Sequence, residues 1–167
     1  LKPFEDYIRH EVLPLYGNTH TTTSITGLQS TCFRVEARQA VAQACNARIS
    51  YSDKNSDVVL FTGTGSTGAV NHIVQVLGLH LPLPADADDS MRPVVFVGPY
   101  EHHSNLLPWR ESIALVVQIP EDSAGQIDLD ALELALSAHK HRVLRIGSFS
   151  AGSNVTGVLS DVDGITE

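Results

Sequence analysis

D-V-V-L-F-T-G-T-G-S-T-G-A-V-N, running from Asp57 to Asn71, carries the first sign of how this chain folds. Val58 to Phe61 is a short apolar run and predicts a buried strand. Gly63, Gly65 and Gly68 break it. From there the period changes, with Val70, Ile73, Val74 and Leu77 at the i, i+3, i+4, i+7 positions of an apolar helix stripe. The expected unit is strand, glycine turn, helix. Its turn leaves free backbone N–H groups at the positive end of a helix dipole, with the Ser66 and Thr67 hydroxyls beside them, which describes a phosphate seat. A tight turn that only joins two elements would read the same way.

Outward from this stretch, the chain alternates. Lys2 to Leu15 carries a helical stripe of Phe4, Tyr7, Ile8 and Val12, which Pro14 should end. Tyr16 to Thr26 is polar and threonine-rich and predicts a loop. Ser30 to Ile49 favours helix, with Ala37, Ala40, Val41, Ala44 and Cys45 on one apolar face. Further on, Pro93 to Gly98, Ile113 to Ile119 and Arg142 to Phe149 read as strands. Between them lie a short helix near Leu106 to Ser112 and a helix capped by Asp128 with Leu129, Leu132 and Leu136 on one face. Ser160 and Asp163 have the spacing of a capping box at a last helix start. Four strands alternating with helices predict an α/β fold, three layers αβα around a mostly parallel sheet. Ligands of such sheets sit beyond the carboxyl ends of the strands. The polar loops 62–68, 99–105 and 150–157 would all lie on that edge.

Composition narrows the function. The chain has 167 residues, 43% hydrophobic, and eleven basic against nineteen acidic residues give a formal charge of −8. That balance argues against nucleic acid or an anionic membrane as partner, and no apolar run approaches a membrane span. Cys32 and Cys45 form no Cys-x-x-Cys pair, so a zinc site is not expected, and a reduced, cytoplasmic protein is, with a mitochondrial one also open. The first residue is Leu1, and the last residues start a helix, so both ends are expected to be cut. The expected organisation is an N-terminal helix and loop over 1–30 and a partial large domain over 31–167.

Gly63, Gly65 and Gly68 also match G-x-G-x-x-G, the dinucleotide fingerprint. That fingerprint wants an acidic residue about 20 positions on, after the next strand. Glu101 comes too late, and Asp86, Asp88 and Asp89 precede the strand. The remaining loops point elsewhere. T-G-S-T-G-A-V-N from Thr64, E-H-H-S-N-L-L-P-W from Glu101 and S-N-V-T-G from Ser153, in that order, resemble class V aminotransferases. They are similar in particular to the cysteine desulfurase and selenocysteine lyase branch of the fold-type I pyridoxal 5'-phosphate (PLP) enzymes. The resemblance runs from about Tyr16 to Gly157.

This resemblance implies specific roles. Gly65, Ser66 and Thr67 fall where the family binds the cofactor phosphate. His102 falls where the family stacks an imidazole on the pyridine ring, leaving a titratable group near the reacting carbon; an ordinary loop-end histidine is the plain alternative. Asn154 falls where the family hydrogen-bonds the ring hydroxyl. Asn71 matches an asparagine of the following helix, and Asn18 and His20 resemble the substrate-side loop. His103 has no such role. The family commonly has glutamate where Gly68 stands, which leaves the subgroup and substrate open.

PLP chemistry also needs a lysine and a carboxylate against the pyridine nitrogen. The three lysines are Lys2, Lys54 and Lys140. Ser137-Ala-His-Lys140 mimics the family's Ser-x-His-Lys string but precedes the S-N-V-T-G loop that the family lysine follows. Asp161 and Asp163 sit at a helix start, where the dipole alone accounts for them. The expectation is a truncated large domain, inactive by itself, of an enzyme acting on a small amino-acid substrate as a homodimer. A non-catalytic scaffold that kept the fold, and a dinucleotide-binding domain, stand as alternatives.

Overall fold

The computed structural model describes residues 1–50 and 52–167. They form two compact units, Leu1–Phe61 and Thr62–Glu167.

The first unit is helical. Helix α1 (Lys2–Tyr7) runs on through a π turn (Ile8–Val12) into a 3₁₀ turn (Leu13–Leu15), and the backbone becomes extended at Tyr16. Pro14 thus ends the helix, as its missing N–H requires. Helix α2 (Ile25–Ala44) starts earlier than the threonine-rich composition suggests. Ser24 caps it by accepting from the Gly27 amide at 3.1 Å, and this local bond outweighs weak β-branched propensity. The expected apolar face of α2 is exposed, Cys45 included; Gly27 and Ala42 are its buried residues.

Val58 to Phe61 is not a strand. The run has no regular secondary structure and no strand pairing, and Val58, Leu60 and Phe61 are 74%, 54% and 55% exposed. An apolar run becomes a strand only when a neighbour supplies ladder bonds and a packed face. The glycine turn at 63–65 therefore follows no strand, and among the described residues three strands form, not four.

The second unit holds the sheet. Strands β1 (Val94–Val97), β2 (Leu115–Gln118) and β3 (Arg145–Ser148) are all parallel, in the order β2-β1-β3. Their register sets Val95 beside Val116 and Ile146. β1 is central and wholly buried. Its side chains alternate between two cores. Val95 and Val97 pack with Val70 and Val74 of α3 (Gly65–Val76), Leu79, Ala114 and Trp109 of α4 (His103–Arg110). Val94 and Phe96 pack with Ile119, Ile127 and Leu132 of α5 (Leu129–Ala138). Helices on both faces of a parallel sheet make the three-layer αβα arrangement. Asp128 caps α5 as expected, its Oδ1 accepting from the Ala131 amide at 2.9 Å. Leu132 alone of the leucine trio is buried, with Ala131 and Ala135 beside it. In α6 (Val162–Thr166) the cap is Asp161, which accepts from Gly164, while the Ser160 hydroxyl turns back to donate to the Ser150 carbonyl.

At the amino ends of β1 and β3, Arg142 is 7% exposed. Its guanidinium donates to the carbonyls of Asp89 and Arg92 at 2.8 Å each, to Asp89 Oδ2 at 2.7 Å and to His139 Nδ1 at 3.2 Å. The hydrogen bond from Arg142, then that from His141, holds the Asp89 carboxyl below its ordinary value. Burial, then the charges of Arg142 and His141, pushes His139 down. The Ser90 hydroxyl and amide do for Asp88 what Arg142 does for Asp89.

Candidate functional site

The candidate site lies at the carboxyl ends of β1 and β3, with the start of α3 in the same unit. Among the described residues, α3 is the one helix of eight residues or more whose N-cap makes no side-chain bond. Thr64 occupies that position in the left-handed region (φ 60°) and Gly65 follows at φ 62°. Left-handed backbone is what glycine permits and threonine resists. The first amides of α3 thus keep no side-chain acceptor, and Gly65, Ser66 and Thr67 are exposed. A Cβ at Gly63 or Gly65 would meet nothing within 4 Å, so open space lies over the turn. A Cβ at Gly68, by contrast, would run into the Gly63 carbonyl oxygen and lie 2.6 Å from Thr64 Oγ1. The turn folds so closely over the helix start that only glycine fits there. That is the physical reason why glutamate is not accommodated at this position in this backbone. Asn71 bonds within its own helix, donating to the Thr67 carbonyl at 2.8 Å.

His102 is the N-cap of α4 through its ring. The Ser104 amide donates to Nδ1 at 3.1 Å, so Nδ1 is the acceptor, and the Ser104 hydroxyl lies 2.7 Å from the same atom. A neutral His102 therefore carries its proton on Nε2. The ring is exposed, with its centroid 6.5 Å from that of His103.

The neighbouring side chains tie the two strand ends together. Glu101 Oε1 accepts from the amides of Gly98 at 3.2 Å and Ser150 at 2.8 Å. Its Oε2 accepts from Asn105 Nδ2 and from the Ser150 hydroxyl, both at 2.7 Å. Asn105 also donates to the Ser148 carbonyl at 3.1 Å and accepts from the Ser148 hydroxyl at 2.6 Å, and that hydroxyl accepts from Trp109 Nε1 at 3.2 Å. Sequence reasoning gave a cofactor role only to His102 in this string. The missed signal was the four-residue spacing of Glu101, Asn105 and Trp109, which puts them on one side of a helix start.

Asn154 sits at the tip of the 150–160 loop, exposed, where Ser153 Oγ accepts from the amides of Val155 and Thr156 and an isolated bridge joins Gly152 and Leu159. The structure thus brings the His102 and Asn154 loops together through Glu101 and sets α3 against α4 through Val70, Val74 and Trp109. Asn18 and His20 belong to the first unit, in a loop folded onto the start of α2. The His20 amide donates to Thr31 Oγ1 at 3.0 Å, and Arg34 Nη1 lies 2.8 Å from His20 Nε2. Lys140 comes after the end of α5 and before β3, at the amino end of that strand, the end opposite to His102. Among the described residues no helix is long and apolar enough to cross a membrane.

Known proteins resemble this chain over most of its length. The Aminotransferase class-V family matches residues 4–167. Cysteine desulfurase CsdA of Escherichia coli is 29% identical over 150 residues, 87% of this chain and 33% of that protein. A probable cysteine desulfurase of Pseudomonas aeruginosa is 32% identical over 150 residues, again 87% of this chain and 33% of its own length. The crystal structure of Escherichia coli CsdA superposes with a TM-score of 0.55 at 24% identity, covering 90% of this chain and 34% of that one. Mouse CSAD gives the same TM-score at 16% identity, covering 87% and 31%. These two likenesses show a shared fold. The chain spans about a third of the length of the relatives it matches.

Proposed function

The chain belongs to the class V aminotransferase family, and from that premise we propose that it forms the cofactor-binding part of a PLP-dependent enzyme acting on an amino acid, in the manner of a cysteine desulfurase. What supports this is an uncapped, glycine-opened helix start in the same unit as two polar loops that lie beyond the ends of parallel strands and are joined by Glu101. These residues fit the cofactor. The free amides of Gly65, Ser66 and Thr67 and the dipole of α3 suit a phosphate dianion. His102, exposed and fixed by Ser104 at Nδ1, offers a ring face for stacking and an Nε2–H that can hold or give a proton. Asn154 offers an exposed amide for the ring hydroxyl. When bound, PLP supplies an electron sink at the substrate carbon.

On this reading the lysine and the carboxylate partner of the pyridine nitrogen are not among Lys2, Lys54, Lys140, Asp161 and Asp163, and residues 1–167 by themselves turn over no substrate. Asn18 and His20 serve the substrate side, and the working enzyme is a homodimer. The test uses the full-length protein. Its visible spectrum is recorded with PLP, it is reduced with borohydride, and the modified peptide is found by mass spectrometry. A pyridoxyl-modified lysine outside residues 1–167 is the expected result. A protein that takes up no PLP overturns the proposal and leaves a scaffold that kept the fold.

A further inference from the structure

Within the string from Glu101 to Trp109, His102 is the residue with a role toward the cofactor, and the rest of the string has a different task. The β1–β3 ladder ends with Val97 beside Ser148. Beyond it, the chain leaves in two separate loops. At that point a side chain takes over from the ladder: Glu101 Oε1 joins the Gly98 amide on one strand exit to the Ser150 amide on the other. Oε2 adds Asn105 and the Ser150 hydroxyl. Four neutral donors converge on one half-buried carboxylate, and among the described residues no cation pairs with it. Only an ionised carboxylate accepts from all four at once. Gly98 makes room for it, since a Cβ there would lie 2.9 Å from Oε1. The space beside Glu101, walled by Ile127, Ser150 and Val158, is about 10 Å³, room for no more than one water molecule.

We infer that Glu101 is a positioning residue that couples the loop carrying His102 to the loop carrying Asn154. His102 follows Glu101 directly, and Asn154 lies one short turn beyond Ser150. With the carboxylate in place the two loops share one arrangement before any ligand arrives. Without it, the ligand must order them, and that ordering is subtracted from binding. The consequence for PLP rests on the function proposed above; the coupling of the loops does not.

Glu101→Gln tests this with almost no change of shape. Whichever way the amide is turned, its NH₂ faces a donor, either Asn105 Nδ2 or the Gly98 and Ser150 amides. In the full-length protein, Glu101→Gln is expected to raise hydrogen exchange at Ser150 and through both loops. It should weaken PLP binding about tenfold, the equivalent of one charge-assisted hydrogen bond, and change the circular dichroism of the cofactor at saturation. A group that only stabilised the fold would lower the melting temperature and leave that last signal alone. Ser150→Ala removes one of the four donors and should show the same pattern with about a threefold loss of affinity; it decides the matter if Glu101→Gln does not fold. Exchange at Ser150 equal to wild type, or altered exchange with unchanged affinity and dichroism, overturns the inference. If the wild-type protein binds no PLP, the proposed function fails, and the exchange comparison alone still decides whether Glu101 couples the loops.

Discussion

The β1–β3 pair is closed at both ends by a side chain, and the two closures are built oppositely. At the amino ends, a cation does the work: Arg142 reaches two carbonyls and the Asp89 carboxylate, with His139 behind it. At the carboxyl ends an anion does it, and Glu101 meets four neutral donors. A charge pair tolerates small shifts of either partner, because the Coulomb attraction changes slowly with distance. A carboxylate held only by hydrogen bonds is directional and fixes geometry more than it adds stability. The amino ends are thus joined for stability, the carboxyl ends for alignment, and the candidate site is at the aligned end.

The largest expected effect breaks the amino end. Arg142→Ala removes a buried guanidinium and strands the carbonyls of Asp89 and Arg92, at a cost of about 3 kcal/mol. Denaturant unfolding reads it, and PLP affinity of the surviving folded protein should stay near wild type. A loss below about 1 kcal/mol would mean that the cation is ornamental. At the other end, Trp109→Phe keeps most of the packing and deletes the donor to Ser148 Oγ, for about 1 kcal/mol. Asp128→Ala, outside both closures, should cost a similar cap-sized amount, about 1 kcal/mol, and leave both loops undisturbed in hydrogen exchange. If it loosens Ser150 as much as Glu101→Gln does, the loosening is not specific to the Glu101 closure.

The smallest effect is with pH, and it belongs to the amino end. Burial and the neighbouring charges hold the His139 pKa below its usual 6.5. The folded chain therefore binds fewer protons than the unfolded one in the window just below that value, and stability falls as pH drops through it. Asp89, held below 3.8 by Arg142 first, adds stability above its ordinary range and loses it as pH falls through its lowered value. Unfolding curves between pH 7.5 and 5.5 should slope downward toward acid, and His139→Asn should flatten that slope. An unchanged slope in the variant would assign it elsewhere.

Most of the elements were legible. The stretches 94–97, 115–118 and 145–148 form strands because β1 gives the other two a partner, and Asp128 caps α5 because its oxygen reaches an amide three residues on. Val58 to Phe61 was misread, since composition reports what would pack in a strand and not whether a neighbour is present. The start of α2 was missed because one bond from Ser24 overrode a threonine-rich stretch.

Sequence by itself determined the order of three polar loops, the residues expected at a cofactor and the family. Those are local chemistry, written in residue types at short spacing. Tertiary structure decided that Gly68 must be glycine under the Gly63 carbonyl and that Glu101 ties the loop after β1 to the loop after β3. It also decided that Lys140 stands at the wrong end of β3. Each depends on groups that are distant along the chain and meet only once the strands have paired, and that separation leaves no trace in local spacing.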